Sequence, residues 1–218
     1  MGPAVKQPMG ATPVQMVSTR LPRQRVVVLA IGDGAATERV GRAEMRLIPY
    51  QREARSLARY YQPAGLNVDP AEMDNFPVTV LEALACGLPV VAAAVGGVPE
   101  QVKSAQIPGE VRGGTSCPPG EATGLLTPPE DAASMADALL ALLQNPGLRQ
   151  QLGRNAGHDA ALRFDAERQA DRYLEWYLSI LASERLTGRA ERSGSDALIV
   201  KGAGFPQRRG GILLASRR

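Results

Sequence analysis

Two acidic side chains, Asp74 and Glu82, lie eight residues apart on either side of a short polar turn. A carboxylate such as that of Glu82 can accept hydrogen bonds from a ribose diol, which is what acidic residues do in dinucleotide-binding folds. A second polar segment follows at Gly96 and Gly97, where the missing side chains let the backbone approach a ligand closely. The two segments together favour a ligand that carries phosphate and hydroxyl groups.

The elements that must position these residues follow from residues 74–102. Pro77 fits the first position of a helix, because its fixed φ suits that place and its missing N–H is not needed there. Gly87 predicts the end of the helix in the left-handed region, and Pro89 prevents its continuation. Residues 90–95 are apolar without alternation, as in a buried parallel strand, and residues 98–100 begin another helix. Helical spacing predicts one apolar helix face, made of Val78, Leu81, Leu84 and Ala85.

This order of loop, helix, strand, glycine loop and helix predicts an α/β fold with a Rossmann-like parallel sheet and helices on both faces. In such a sheet the ligand crevice lies at the carboxyl ends of the strands and the amino ends of the helices. Free N–H groups and the positive end of the helix dipole collect there. We therefore expect residues 74–77 and residues 96–99 to lie on the rim of one crevice.

The same segment resembles the E-x7-E block of the retaining, nucleotide-sugar-dependent family 4 glycosyltransferases, which belongs to their carboxyl-terminal, donor-binding domain. The family's usual wording is close to E-x-F-P/G-x-x-x-L-E-A-M-A-C-G-x-P-V-V-A-T-x-V-G-G-x-P-E. The chain has Asp74 where the family usually has the first Glu, and the strand ending in Gly32-Asp33-Gly34 also matches. The residues of the block that are kept are Phe76, Leu81, Glu82, Ala83, Ala85, Cys86, Gly87, Pro89, Gly96, Gly97, Pro99 and Glu100.

The resemblance implies one half of a GT-B architecture, in which two Rossmann-like halves face each other across a cleft. It implies transfer of a sugar from a nucleoside diphosphate sugar to an acceptor hydroxyl, with retention, without a metal and without a further cofactor. Asp74 would be the catalytic residue, in contact with the sugar hydroxyls, and Glu82 would bind the ribose. The donor-binding residues that the resemblance carries over are Gly32, Asn75, Phe76, Pro77, Glu82, Gly96 and Gly97.

Structural roles stay open for both acids. Asp74 can serve as a negative charge that the helix dipole favours, and Glu82 as a solvent-facing helix acid. The family also has an Arg and a Lys-Gly pair ahead of the Gly32 strand, which grip the diphosphate. The chain offers Lys6, followed by Gln7, and Arg20 without the matching context, so charge-assisted bonds to a diphosphate would be lost.

Length and composition limit the alternatives. A chain of 218 residues suffices for one domain with a sizeable core but is too short for two such halves. Its 44% hydrophobic and 22% charged residues are typical of a soluble globular protein, and no apolar run approaches the roughly 20 residues of a membrane span. The amino terminus does not resemble a secretory signal, and two cysteines make no disulfide framework. We expect a cytoplasmic protein.

We expect three regions: an irregular lead-in over residues 1–24, a donor-binding domain over 25–184 and a basic, unfolded tail over 185–218. An irregular insertion near 103–122 interrupts the domain. The tail has eight Lys and Arg residues against Glu191 and Asp196. Because it lacks aromatic spacing we expect no nucleic-acid partner, whereas contact with a membrane surface stays open.

Three hypotheses for function remain. The first is the donor-binding half of a glycosyltransferase, which is incomplete on its own and needs an acceptor-binding domain in cis or in trans. The second is a folded, non-catalytic remnant, which the missing Lys-Gly pair favours. The third is one half of a nucleotide-sugar epimerase, which the E-x7-E wording disfavours.

Overall fold

The computed structural model of the chain describes residues 11–32, 34–105, 116–186 and 211–217. The strands are β1 (Arg25–Gly32), β2 (Ala36–Val40), β3 (Ala43–Pro49), β4 (Leu66–Asp69), β5 (Val90–Ala93), β6 (Ser104–Ala105), β7 (Ser116–Cys117), β8 (Gly124–Thr127) and β9 (Gly211–Arg217). The helices are α1 (Ala11–Arg20), α2 (Ala54–Tyr61), α3 (Val78–Ala85), α4 (Val98–Gln101), α5 (Ala132–Gln144), α6 (Pro146–Arg163) and α7 (Ala166–Leu186).

The described strands form one sheet in the order β2-β3-β1-β9-β4-β5-β8-β6-β7. The pairs β1–β3, β4–β5, β5–β8, β6–β8 and β6–β7 are all parallel. Helices α2 and α3 make the connections from β3 to β4 and from β4 to β5. This arrangement confirms the expected α/β fold. The carboxyl ends of the parallel strands therefore share one edge, where the ligand crevice of such a sheet lies.

Both faces of the sheet are covered. The main cluster of buried apolar side chains joins α1 and α5 to alternate residues of β4 and β5, such as Leu66, Val68 and Val91. Val90 and Ala92 point to the opposite face and are also fully buried, on the side where α3 contacts β4 and β5. Neither face of β5 meets water, as predicted for a buried parallel strand, but the strand ends at Ala93, two residues before the predicted end, and Ala94 and Val95 are half-buried.

Helix α3 ends where the sequence predicts. Gly87 has φ +73°, and its N–H donates to the Leu84 carbonyl, while the Leu88 N–H donates to the Ala83 carbonyl. This pair of bonds is a Schellman motif, which satisfies carbonyls that the helix would leave unpaired. Pro77 lies one position earlier than predicted, at the N-cap.

The predicted apolar face of α3 is confirmed for Leu84 and wrong for its other residues. Val78 and Ala85 are exposed, and Leu81 is half-buried. The side chains that pack are Val80, Ala83 and Leu84. Val78, at the amino end of the helix, lines a cleft and not the core, and Ala85, at the carboxyl end, is exposed.

Two irregular regions of the sequence contain regular structure. Within the lead-in 1–24, residues 11–20 form α1, which places Val14 and Val17 in the core, while residues 1–10 lie outside the described part of the chain. At the margins of the insertion near 103–122, β6 and β7 pair with each other, and β6 pairs with β8. Residues 106–115 lie outside the described part of the chain.

The expectation of an unfolded tail is wrong for residues 211–217, because they form β9 in the middle of the sheet. β9 is antiparallel to both neighbours: Ile31 pairs with Gly211 and Val68 pairs with Ile212. Charged residues are unfavourable in the middle of a central strand, because both of its faces are covered. Residues 212–215 include no charged residue. Of the basic residues counted in the tail, β9 contains Arg217. Residues 187–210 lie outside the described residues.

The described residues fall into two compact units, and residues 162–186 form the second of them. It consists mainly of α7, in which the rings of Trp176 and Tyr177 lie 5.4 Å apart between centroids and both side chains are exposed. In the part of the chain that the structure describes, no helix has the length and apolar character needed to cross a bilayer.

The central position of β9 can be tested with Leu213→Pro. Proline removes a backbone donor at a residue that pairs with Leu29 on one side and Asn67 on the other. We expect a loss of about 3 kcal/mol or more in the free energy of unfolding, measured by urea denaturation. Leu213→Val is the control and should cost less than about 1.5 kcal/mol. Equal stability of both variants would contradict the placement of β9.

Candidate functional site

The two loops predicted to share a rim are in direct contact. The Gly97 N–H donates to the Asn75 carbonyl oxygen over 2.6 Å, and the Asp74 Oδ1 atom accepts from the Phe76 N–H over 3.2 Å. The second bond closes a tight turn of the Asx type just before α3. The structure thus joins five of the predicted residues, including Gly96, at the amino end of α3.

Gly96 and Gly97 allow this contact because they lack side chains. A Cβ atom at Gly96 would overlap the Asp74 carbonyl oxygen, and one at Gly97 would overlap the Asn75 carbonyl oxygen. Gly96 also has φ +48°, a conformation that side-chain-bearing residues rarely adopt. The first role of the diglycine is therefore to let two backbones approach, and the Gly97 N–H is already used within the protein.

A cleft of about 130 Å³ adjoins this rim on the side of α2 and α3. Of the predicted site residues, Glu82 lines it, and Ile31 brings in the end of β1 next to Gly32. The residues lining the cleft are Ile31, Tyr50, Gln51, Arg52, Ala54, Leu57, Tyr61, Val78, Thr79 and Glu82. The predicted residues thus form two neighbouring groups connected through α3: the rim and the cleft.

Glu82 is held by a buried phenol. The Tyr61 side chain is 2% exposed, and its hydroxyl lies 3.3 Å from Glu82 Oε2 and 3.5 Å from the Thr79 carbonyl oxygen. Burial first, and then the negative charge of Glu82, raise the pKa of Tyr61 far above its ordinary value. The hydroxyl therefore keeps its proton and acts as a donor to the carboxylate.

Of the two cations proposed from the sequence, only Arg20 lies in the described part of the chain, and it does not line the cleft. Arg20 forms an ion pair with Asp137 between α1 and α5, and Lys6 lies outside the described residues. Arg52 lines the cleft instead, and it makes no ion pair or hydrogen bond with the residues that the structure describes. It places a positive charge in the same cleft as the Glu82 carboxylate.

No three His, Cys, Asp or Glu side chains among the described residues are grouped so that they could hold a metal ion. His158, the single histidine of the sequence, is exposed on α6.

Sequence reasoning missed three residues of the cleft: Tyr50, Arg52 and Tyr61. Tyr50 and Arg52 follow β3, at the sheet edge where ligands bind, so their place just beyond the apolar residues of Met45–Pro49 was an available signal. Tyr61 gave no such signal, because a tyrosine at the end of a helix is most simply read as packing.

Solved structures share this fold. Sucrose-phosphate synthase from Thermosynechococcus elongatus is 25% identical, with a TM-score of 0.59 over 80% of this chain and 43% of that one. A structure of Anabaena HepE in complex with UDP-glucose is 21% identical and superimposes with a TM-score of 0.50 over 62% of this chain and 32% of that one. These likenesses place the chain in the class of GT-B glycosyltransferases.

The model of one family, glycosyl transferases group 1, matches residues 34–159, and the chain belongs to this family. A D-inositol 3-phosphate glycosyltransferase from Actinosynnema mirum is 35% identical over 66% of this chain and 34% of that protein. One from Saccharomonospora viridis is 34% identical over 65% of this chain and 29% of that protein. The chain therefore spans about a third of the length of the curated relatives it matches.

The loop contact at the rim can be tested with Gly96→Ala. The added Cβ meets the Asp74 backbone, which cannot move aside as a flexible side chain would, and alanine is strained at this φ. We expect a loss of about 1–3 kcal/mol in the free energy of unfolding, measured in urea. Gly120→Ala is the matched control, since nothing lies within 4 Å of its added Cβ. A similar loss in the two variants would show that the rim is not closely packed.

Proposed function

We propose that this chain is the donor-binding half of a retaining glycosyltransferase. It binds a nucleoside diphosphate sugar, whose sugar is transferred to an acceptor hydroxyl held by an acceptor-binding domain, in cis or in trans. The observation that carries the proposal is the geometry of α3: its amino end forms the rim with Gly96 and Gly97, and its second turn carries Glu82 into the adjoining cleft. In the proposal, the amino end of α3 faces the phosphates of the donor, and the second turn of the same helix contacts its nucleoside.

The rim supplies electrostatic stabilisation. The first N–H groups of a helix have no partner within the helix, and the dipole makes this end of α3 positive. A diphosphate that leaves the sugar gains negative charge, which such fixed donors stabilise more strongly in the transition state than in the ground state. Gly32, at the end of β1, and Gly96 offer backbone that a phosphate can approach. Gly97 acts by holding the loop of Asn75, Phe76 and Pro77 in place.

The cleft supplies recognition of the nucleoside. Glu82 accepts hydrogen bonds from the ribose hydroxyls, and a carboxylate has room for several such bonds. Arg52 contributes a positive charge to the same cleft, which partly offsets the missing Lys-Gly pair. Tyr50, which is about half exposed, adds an aromatic surface beside it.

In the proposal, Asp74 contacts the sugar of the donor from its place in the turn before α3. Its Oδ1 atom already accepts the Phe76 N–H, so its structural role as a turn residue is real. A carboxylate accepts up to four hydrogen bonds, so it can also contact sugar hydroxyls and orient the reacting carbon.

Other parts of the proposal are supported by the family resemblance and by the comparison with solved structures. Retention, and transfer without a metal or a further cofactor, rest on the resemblance to the retaining family around Asp74 and Glu82. The nucleoside diphosphate sugar as donor is supported by the complex of Anabaena HepE with UDP-glucose. A cytoplasmic location and contact of the basic residues after 184 with a membrane surface are extensions of the same proposal.

Nucleotide binding tests the proposal directly. Isothermal titration calorimetry of the unmodified chain with UDP, GDP and ADP should show binding of at least one of them. Glu82→Ala should weaken it about 10- to 100-fold, because hydrogen bonds to a charged group contribute about 1.5–3 kcal/mol. Glu121→Ala, an exposed acid elsewhere in the chain, is the control and should change nothing. No heat with any of the three nucleotides would leave the folded non-catalytic remnant as the better hypothesis.

A second titration distinguishes the role of Asp74 from that of Glu82. Asp74→Asn keeps an oxygen that can accept the Phe76 N–H but removes the negative charge. We expect the affinity for the nucleoside diphosphate to stay within about twofold and that for the nucleoside diphosphate sugar to fall about tenfold, a loss of about 1.4 kcal/mol. Equal changes for both ligands would assign Asp74 to the turn alone.

A further inference from the structure

The buried hydroxyl of Tyr61 contacts Glu82, a predicted site residue. Its ring is packed at the end of α2, and its hydroxyl reaches across to α3, where it meets the Glu82 carboxylate and the Thr79 carbonyl. A phenol has a single proton to donate. Of the two acceptors, the carboxylate is closer and charged, and hydrogen bonds to charged acceptors are about twice as strong as neutral ones.

This bond restricts how Glu82 can present its oxygens. A glutamate on a helix samples several rotamers when it is exposed, and ordering such a side chain costs about 1–2 kcal/mol. The Tyr61 hydroxyl, fixed by its own burial, contacts Oε2 and favours one orientation before any ligand arrives. A carboxylate has about four acceptor sites, so the bond to Tyr61 is compatible with bonds from Glu82 to a ligand.

We propose that Tyr61 is a positioning residue that orients Glu82 toward a ribose and thereby sets the preference for ribonucleotides over 2′-deoxyribonucleotides. The inference rests on the proposed function, in which Glu82 accepts hydrogen bonds from the ribose diol. Pre-orientation removes part of the ordering cost of binding, so it benefits a ligand that uses Glu82 fully. A ligand that lacks the 2′-hydroxyl gains less from the same orientation.

A purely structural role of Tyr61 makes a different prediction. If the residue matters only through its packed ring and its bond to the Thr79 carbonyl, removal of the hydroxyl would affect every nucleotide equally and regardless of Glu82. Tyr61→Phe keeps the ring and removes only the oxygen, so it separates the two roles. Tyr60→Phe is the matched control, because the Tyr60 hydroxyl makes no hydrogen bond with the described residues.

The deciding experiment is a double-mutant cycle in nucleotide binding, measured by calorimetry. The proteins are the unmodified chain, Tyr61→Phe, Glu82→Ala and the double variant, and the ligands are UDP and 2′-deoxy-UDP, or the corresponding pair for the base that binds. We expect Tyr61→Phe to weaken binding of the ribonucleotide about 3- to 10-fold and that of the deoxyribonucleotide less than twofold. In the Glu82→Ala background it should weaken neither ligand further.

The proposal would be overturned if Tyr61→Phe weakened binding of the ribonucleotide and the deoxyribonucleotide equally, or by the same factor with and without Glu82. A second cycle needs no ligand: urea unfolding of the same four proteins should show that removing the Tyr61 hydroxyl lowers the denaturation midpoint less when Glu82 is absent. Strict additivity there would also overturn it. If the unmodified chain binds no nucleoside diphosphate, the proposed function and the ribose preference both fail, and the unfolding cycle alone then decides whether Tyr61 positions Glu82.

Discussion

The backbone hydrogen bond between Gly97 and Asn75 is the constraint on which the arrangement of the site depends. It joins the loop after β5 to the turn before α3 and thereby fixes the direction of the amino end of that helix. Because the two backbones approach too closely for a side chain, the position of the turn is set by the diglycine. The direction of α3 in turn decides where Glu82 meets the cleft and where its partner Tyr61 can reach it.

The sequence was informative where local chemistry decides structure. Gly87 and Pro89 fix the end of α3 and the start of β5, since few other residues fit those backbone conformations. The shared rim was also predictable, because parallel strands must bring their carboxyl ends to one edge and both loops follow such strands. The resemblance added the ligand group that each residue would contact, which the pattern of residues alone does not provide.

Other features depend on contacts between distant segments and left no local trace. The apolar spacing of α3 predicted a face that is wrong except at Leu84, because Val78 lines a cleft and Ala85 is exposed, which only the surrounding helices decide. The sequence left Arg20 available to a phosphate, whereas in the structure it forms an ion pair with Asp137 of α5. The site itself was therefore predictable in outline, whereas the tyrosine and arginine that complete the cleft came from the assembled sheet.

The place of β9 has a consequence for how this chain is made. β1 and β4 leave the ribosome long before residues 211–217, yet the strand that pairs with both is the later one. Until it arrives, the sheet consists of two halves whose facing edges carry unpaired amides and carbonyls. Completion of the sheet is then a late step that joins segments far apart in sequence, which predicts slow folding and a nascent chain that benefits from chaperones.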